Sequence, residues 1–156
     1  MPIIDEDSPQ VRFPPPLIFV GSLLLGLLAD RLLRLPYLVG TWPQTLGWVL
    51  VVLGGVFIGA ALGWFYSAGT NPEPWKRDNA LVTKGFYRIT RNPMYLGMAL
   101  AGFGIALVLG SFGALGGVAL AIVLVDRFVI VREERHLAQI FGEAYTAYRQ
   151  RVRRWI

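Results

Sequence analysis

No cysteine and a single histidine, His136, occur among the 156 residues. The first absence excludes disulfides and thiolate metal sites, and the second removes the ligand set of a histidine-built metal centre. Charge is scarce too: 16% of residues are charged, against roughly 25% in a soluble domain. With 54% hydrophobic residues and a mean hydropathy of +0.51, the composition is that of a membrane protein. No glycine-rich phosphate loop is present, because Gly102-Phe103-Gly104 lies inside an apolar run and lacks the third glycine. No Ser/His/Asp set assembles around His136. No carboxylate lies deep in an apolar run, so proton-coupled transport lacks its usual group. The net charge of +5 is compatible with nucleic acid. In so apolar a chain it reads instead as basic residues gathered on one side of a bilayer, with no nucleic-acid partner.

What is present divides into four apolar runs and two polar segments within one domain of residues 1–156. Residues 1–16 form an acidic, then proline-rich arm. Residues 17–35 begin after Pro16, which suits a helix start because its missing N–H costs nothing there. The uncharged part, 17–29, is short for a span of about 20 residues, so the last turns reach into the headgroups, where Asp30 and Arg34 are spaced to pair on one helix face. Tyr37 and Trp42 mark an interfacial turn. Residues 45–68 carry no charge in 24 positions, and Gly55, Gly59 and Gly63 line one face. Such a face admits another helix closely, from this chain or from a second copy in a homodimer. Residues 17–68 thus supply two scaffold spans.

Residues 94–109 and 114–131 form the third and fourth spans, joined at 110–113 by a turn too short for anything but an antiparallel hairpin. After Asp126 and Arg127 the chain leaves the membrane or continues as a helix into water. The predicted fold is therefore all-α and integral to the membrane, with about four transmembrane helices. Both termini then share a side. That side holds thirteen Lys and Arg and the other only Arg31 and Arg34, which places the termini and the polar segments in the cytoplasm at the inner membrane.

The first polar segment, 81–97 (LVTKGFYRITRNPMYLG), opens the third span; the second, 133–155, closes the chain. Glu133, Leu137, Phe141, Tyr145, Tyr148 and Val152 share one face of an amphipathic helix, with Gly142 as a bend point. Arg149, Arg151, Arg153 and Arg154 are placed to grip anionic headgroups. Pro93 excludes Asn92 from helical geometry and leaves free N–H groups from Met94 to Gly97, a place suited to a carboxylate. Tyr87, Arg91, Asn92, Pro93 and Tyr95 of the first segment and Glu133 and Glu134 of the second are the residues with chemistry to offer. Glu133 can accept from ribose hydroxyls, and the aromatics can sandwich a flat ring or a sulfonium. From the residues alone, Glu133 and Glu134 fit a solvated helix face better than a site.

These segments resemble the isoprenylcysteine carboxyl methyltransferases and the related membrane phospholipid methyltransferases. Gly85, Tyr87, Arg91, Pro93, Tyr95 and Gly97 match the first half of the family pattern. Glu133, Glu134, Leu137, Phe141, Gly142, Tyr145, Tyr148 and Val152 match the second. The resemblance covers residues 79–155 and makes 79–156 the catalytic half. It implies an S-adenosylmethionine-dependent methyltransferase whose cytosolic cofactor pocket is capped by the C-terminal amphipathic helix, and whose prenylated or lipid-like substrate enters from the bilayer. Carried over by position, cofactor contacts fall on Asn79, Ala80, Leu81, Val82, Tyr87, Asn92, Pro93, Met94, Tyr95 and Glu133. Arg91, Arg132 and Glu134 are the candidate catalytic residues. Asn92 replaces the family histidine and cannot carry a proton. The prenylcysteine enzymes hold the substrate carboxylate with an arginine that is Val129 here, leaving Arg132 or Arg127 to substitute. A carboxylate acceptor is already ionised at neutral pH and needs only a cation to hold it. A lipid N-methyltransferase, and a four-helix scaffold or small transporter assembled through the glycine face, are the alternatives.

Overall fold

The computed structural model describes residues 14–69 and 80–156. The expectations for 1–13, for most of the 69–79 loop and for Asn79 lie outside the described residues. Five α-helices follow in order: α1 (Pro15–Leu33), α2 (Thr41–Ser67), α3 (Pro93–Val108), α4 (Phe112–Val125) and α5 (Val131–Arg151). A 3-10 turn, Gly85–Arg88, precedes α3, and a π-helix, Asp126–Ile130, joins α4 to α5. Pro15–Leu33, Thr41–Ser67 and the apolar start of the continuous helix Phe112–Arg151 are long and apolar enough to cross a membrane, and α3 is a shorter apolar helix packed between α2 and α4.

The bundle is assembled as two tight pairs. α2 lies on α3 and α1 on α4. Both pairs are closed by glycines, but not by the predicted ones. A Cβ on Gly55, Gly59 or Gly63 would meet nothing within 4 Å, so within the chain this face is open. The seam uses Gly47 and Gly54 of α2 against Gly97 and Gly104 of α3. A Cβ at Gly54 would sit 2.5 Å from the Gly97 carbonyl oxygen, and one at Gly104 2.5 Å from that of Gly47. In the other pair Gly26 meets Gly113, where a Cβ on either would approach the other's carbonyl oxygen to 2.1 Å. Between helices in lipid the gain comes from such close backbone approach, because the tails are as apolar as the side chains.

Asp30 is a second departure. It does not lie along the helix face toward Arg34; it turns inward, with 3% of its surface exposed. Arg34 ends α1 in the left-handed region (φ 50°). The Asp30 carboxylate accepts from the Gly113 N–H at 2.7 Å and from the Ser111 hydroxyl, and the Ser111 oxygen accepts from Ala114 N–H at 2.8 Å. The otherwise orphan donors at the start of α4 are thereby satisfied at the end of the bundle remote from the polar segments. Asp30→Ala leaves the Gly113 N–H and the Ser111 hydroxyl without this acceptor and is expected to lower stability by about 2 kcal/mol. A fall in the unfolding midpoint in detergent is the measurement.

At that same end Leu38 N–H donates to the Gly110 carbonyl at 2.8 Å, tying the α1–α2 connection to the α3–α4 turn. All of Gly85–Arg88, 90–92 and 152–155 lie at the opposite end, as the antiparallel hairpin predicts. There the core of Phe19, Tyr95, Ala99, Val118, Ala121, Val125, Val129 and Ile130 sits beneath the polar segments. Val125, Val129 and Ile130 are all fully buried although their spacing of four and then one cannot share one face of a regular α-helix. The π-helix supplies the wider turn that lets them.

Candidate functional site

The site is built where the two polar segments meet. The first arrives through Gly85–Arg88, which docks on the end of α2: Phe86 stacks on Phe57 at 4.3 Å between ring centroids, and Tyr87 meets Phe65 edge-on at 5.7 Å. Gly85 has φ +60° and lies so close to Trp64 that a Cβ would reach 2.1 Å from its indole nitrogen, so both backbone freedom and space require glycine here. Ala80, Leu81 and Val82, upstream, are half-buried. Asn92 then takes the non-helical geometry that Pro93 imposes (φ −128°, ψ 56°), and α3 begins with no side-chain cap. Met94 and Tyr95 occupy its first turn.

The second segment follows the π-helix. α5 carries seven charged residues in its 21, a composition suited to water or headgroups rather than to hydrocarbon. Gly142 breaks it with φ 49° and ψ −119°, the bend the sequence foreshadows. After Arg151 the chain turns extended and lies against 90–92: Thr90 and Arg153 form a parallel bridge, and Arg91 N–H donates to the Arg153 carbonyl at 2.9 Å.

Tyr95 and Glu133, thirty-eight positions apart, are in direct contact: the Tyr95 hydroxyl donates to Glu133 Oε1 at 2.6 Å. Tyr95 is buried and Glu133 half-buried. Beside them lies an ion-paired cluster. Arg91 Nη2 and Glu134 Oε1 are 3.0 Å apart, each side chain 9% exposed, and Arg91 Nη1 donates weakly to the Tyr145 hydroxyl at 3.4 Å. Arg154 clasps the same Glu134 with two bonds, Nε to Oε1 at 3.0 Å and Nη2 to Oε2 at 2.7 Å, and reaches Asp126 Oδ2 at 3.2 Å. The Trp155 indole N–H donates to Asp126 Oδ1 at 2.9 Å. Hydrogen bonding to Glu134 holds the Arg154 guanidinium even more firmly protonated than usual. Burial pushes the Tyr148 hydroxyl above the usual phenol range, so it stays the donor to the Tyr87 carbonyl, at 2.7 Å.

Several expectations change here. Arg154 does not grip headgroups; its guanidinium is turned inward onto Glu134 and Asp126. Arg91 and Glu134, two of the three candidate catalytic residues, bond each other, while Arg132 and Arg127 are exposed on the helix. Asn92 uses its amide to donate to the Arg154 carbonyl at 3.0 Å. Val129, the position at which the resemblance implies an arginine, is 1% exposed within the core. Thr90 was missed, yet it is fully buried, donates to the Arg154 carbonyl at 3.0 Å and accepts from Asn92 N–H at 3.1 Å. Asp126 and Trp155 were missed as well. Their signal was present as a carboxylate and an indole at the ends of a basic segment, but only contact distances disclose the partners.

The architecture defines an integral membrane protein with the fold of an intramembrane methyltransferase. The solved structure of the eukaryotic intramembrane Ras methyltransferase, isoprenylcysteine carboxyl methyltransferase, superposes with a TM-score of 0.66 at 22% identity, covering 99% of this chain and 54% of that one. A family model described as phospholipid methyltransferase matches residues 42–144, and the chain belongs to that family. An uncharacterised protein of Haemophilus influenzae is 41% identical over 63 residues, 40% of this chain and all of that protein. Protein-S-isoprenylcysteine O-methyltransferase B of Arabidopsis thaliana is 32% identical over 116 residues, 71% of this chain and 57% of that protein. The Schizosaccharomyces pombe protein-S-isoprenylcysteine O-methyltransferase is 35% identical over 78 residues, 49% of this chain and 32% of that protein. The chain thus spans about half or less of the length of the methyltransferases it matches.

Proposed function

We propose that this protein transfers a methyl group from S-adenosylmethionine to the carboxylate of an isoprenylcysteine-type amphiphile in the membrane. The observation that carries the reading is the Tyr95–Glu133 hydrogen bond, which joins the two segments of the family pattern at one end of the bundle. The residues present fit the cofactor. α3 starts with no side-chain cap, and the helix start at Met94 is a place suited to an anion such as its carboxylate. Arg91 Nε is a buried donor with no acceptor among the described residues. Glu133 supplies a carboxylate for hydroxyl groups. Tyr87, Asn92, Pro93, Met94, Tyr95 and Glu133, with Asn79, Ala80, Leu81 and Val82 before them, would hold it.

When bound, S-adenosylmethionine supplies a methyl group already activated by its sulfonium. The protein's own part is positioning and exclusion of water. A carboxylate acceptor is anionic at neutral pH and requires no base. Arg127 or Arg132, exposed where the helix leaves the membrane, offers the cation to hold it. Arg91 and Glu134 support the site from beneath. The strong Lys and Arg bias toward this end of the bundle supports a cytoplasmic active site. Gly55, Gly59 and Gly63 are the face on which a second copy would pack.

Two measurements test this. Titration calorimetry of the purified protein in detergent should register S-adenosylmethionine binding, and its absence refutes the reading. Labelled methyl should then appear in a prenylated cysteine. Label in extracted phospholipid instead moves the assignment to lipid N-methylation, the reading that the phospholipid methyltransferase family and the buried Val129 favour.

A further inference from the structure

We propose that Arg154 is the positioning residue of this site: it locks the C-terminal segment across both polar segments and so holds Tyr95 and Glu133 in register. The proposal rests on the methyltransferase reading for its kinetic consequence, but not for its structural one. Arg154 is bonded at both ends. Its backbone carbonyl accepts from the Thr90 hydroxyl and the Asn92 amide, each at 3.0 Å, which fixes the residues that set the start of α3 and hence Tyr95. Its guanidinium takes Glu134 in a two-bond fork and Asp126 besides, which fixes the helix carrying Glu133.

The π-helix is what makes the double grip feasible. Asp126 and Glu134 are eight residues apart. On a regular α-helix eight steps leave them about 80° apart around the axis. One π-turn absorbs an extra residue, so eight steps act as seven and the offset falls to about 20°. Both carboxylates then face one guanidinium. The charges also balance: Asp126 and Glu134 carry two negative charges, Arg91 and Arg154 two positive. Loss of Arg154 leaves Glu134 with Arg91 alone and Asp126 with the Trp155 indole N–H, two partly buried carboxylates short of one cation. The glycine seams of the bundle are untouched by it, so the change is local.

The test uses the full chain in detergent or nanodiscs, with Arg154→Ala, Arg154→Lys and Asp126→Asn, and Arg153→Ala as the control because that side chain is exposed. Arg154→Ala is expected to raise the KM for S-adenosylmethionine at least thirtyfold while kcat at saturation falls less than threefold, with the unfolding midpoint near wild type. Arg154→Lys keeps the charge but not the fork, and its KM should rise about tenfold. Asp126→Asn should raise it about threefold, and Arg153→Ala should leave it within twofold. Amide hydrogen exchange supplies a readout independent of the cofactor: residues 90–96 should exchange faster in Arg154→Ala than in wild type without any ligand. Unchanged exchange there, or a KM within twofold of wild type for Arg154→Ala, overturns the proposal. If Arg154→Ala aggregates, Arg154→Lys and Asp126→Asn decide it by the same two readouts. A wild type that does not bind S-adenosylmethionine at all refutes the methyltransferase reading, and the exchange result still judges the strap.

Discussion

Glu133→Gln is expected to weaken S-adenosylmethionine binding about a hundredfold, and Tyr95→Phe about tenfold, with both variants folded. The difference follows from what each loses. Tyr95→Phe removes one donor to a carboxylate, a charge-assisted bond worth about 1.5–3 kcal/mol at most, and leaves Glu133 to find another donor. Glu133→Gln keeps the shape but replaces an ionised acceptor with an amide. Half of the amide's polar face is a donor, so a single neutral oxygen is left to accept from the Tyr95 hydroxyl and a bound hydroxyl group, and it accepts each more weakly than the carboxylate does. The double variant should be little worse than Glu133→Gln alone, because the tyrosine acts through the carboxylate. Titration calorimetry on the four proteins measures this. Full additivity of the two losses would mean that Tyr95 and Glu133 act on separate parts of the ligand, and unchanged affinity in Glu133→Gln would remove the pair from the site.

The bundle was legible because its causes are local. Apolar runs of spanning length, Pro16 and Pro93 at helix starts, the Gly110–Ser111 turn and the Gly142 bend each act over a few residues, and each falls where expected. The glycine seam was not legible. Gly55, Gly59 and Gly63 recur every fourth residue and define a face, and periodicity tells which residues share a face. It does not tell which face is covered. In a soluble helix polarity marks the outside, whereas in a membrane the lipid-facing side is as apolar as the packed one, so the distinguishing signal vanishes.

The site divided the same way. Tyr95 and Glu133 could be paired from the sequence because the family pattern binds their segments into one motif. The roles of Arg91, Glu134 and Arg154 could not, because they depend on charge pairing across 20 residues or more, and any of the tail arginines could have closed on Glu134. The π-helix explains part of the difficulty. Counting by a regular helix puts Asp126 and Glu134 on different faces, and only the extra residue in the turn unites them. Asp30 looked like half of an i, i+4 surface pair with Arg34 and is instead buried beneath α4. The Gly113 N–H and the Ser111 hydroxyl at the start of α4 outcompeted an exposed ion pair worth less than about 1 kcal/mol.

The glycines of α2 yield the sharpest contrast in stability. Gly54→Leu is expected to prevent folding, and Gly59→Leu to leave the monomer intact. At Gly54 even a Cβ would stand 2.5 Å from the Gly97 carbonyl oxygen, 2.6 Å from Ala101 N and 2.9 Å from Ala101 Cβ. Two of those atoms are backbone of the facing helix and cannot rotate away, so α2 would have to part from α3 along its length. Ordinary overpacking costs about 1–3 kcal/mol, and a backbone clash at a seam that admits no side chain exceeds it. Parting the helices also frees the end of α2 that holds Phe86 and Tyr87, so cofactor binding goes with the fold. At Gly59 nothing lies within 4 Å of the added carbon, and the leucine would extend into lipid. Yield of monodisperse protein and the unfolding midpoint in detergent separate the two variants, with S-adenosylmethionine affinity of Gly59→Leu staying within twofold of wild type. If a second copy packs on this face, Gly59→Leu alone should abolish chemical cross-linking between copies while leaving that affinity in place. The reverse pattern, with Gly54→Leu tolerated and Gly59→Leu inactive, would mean that α2 works through its outer face, as the scaffold or transporter alternative requires.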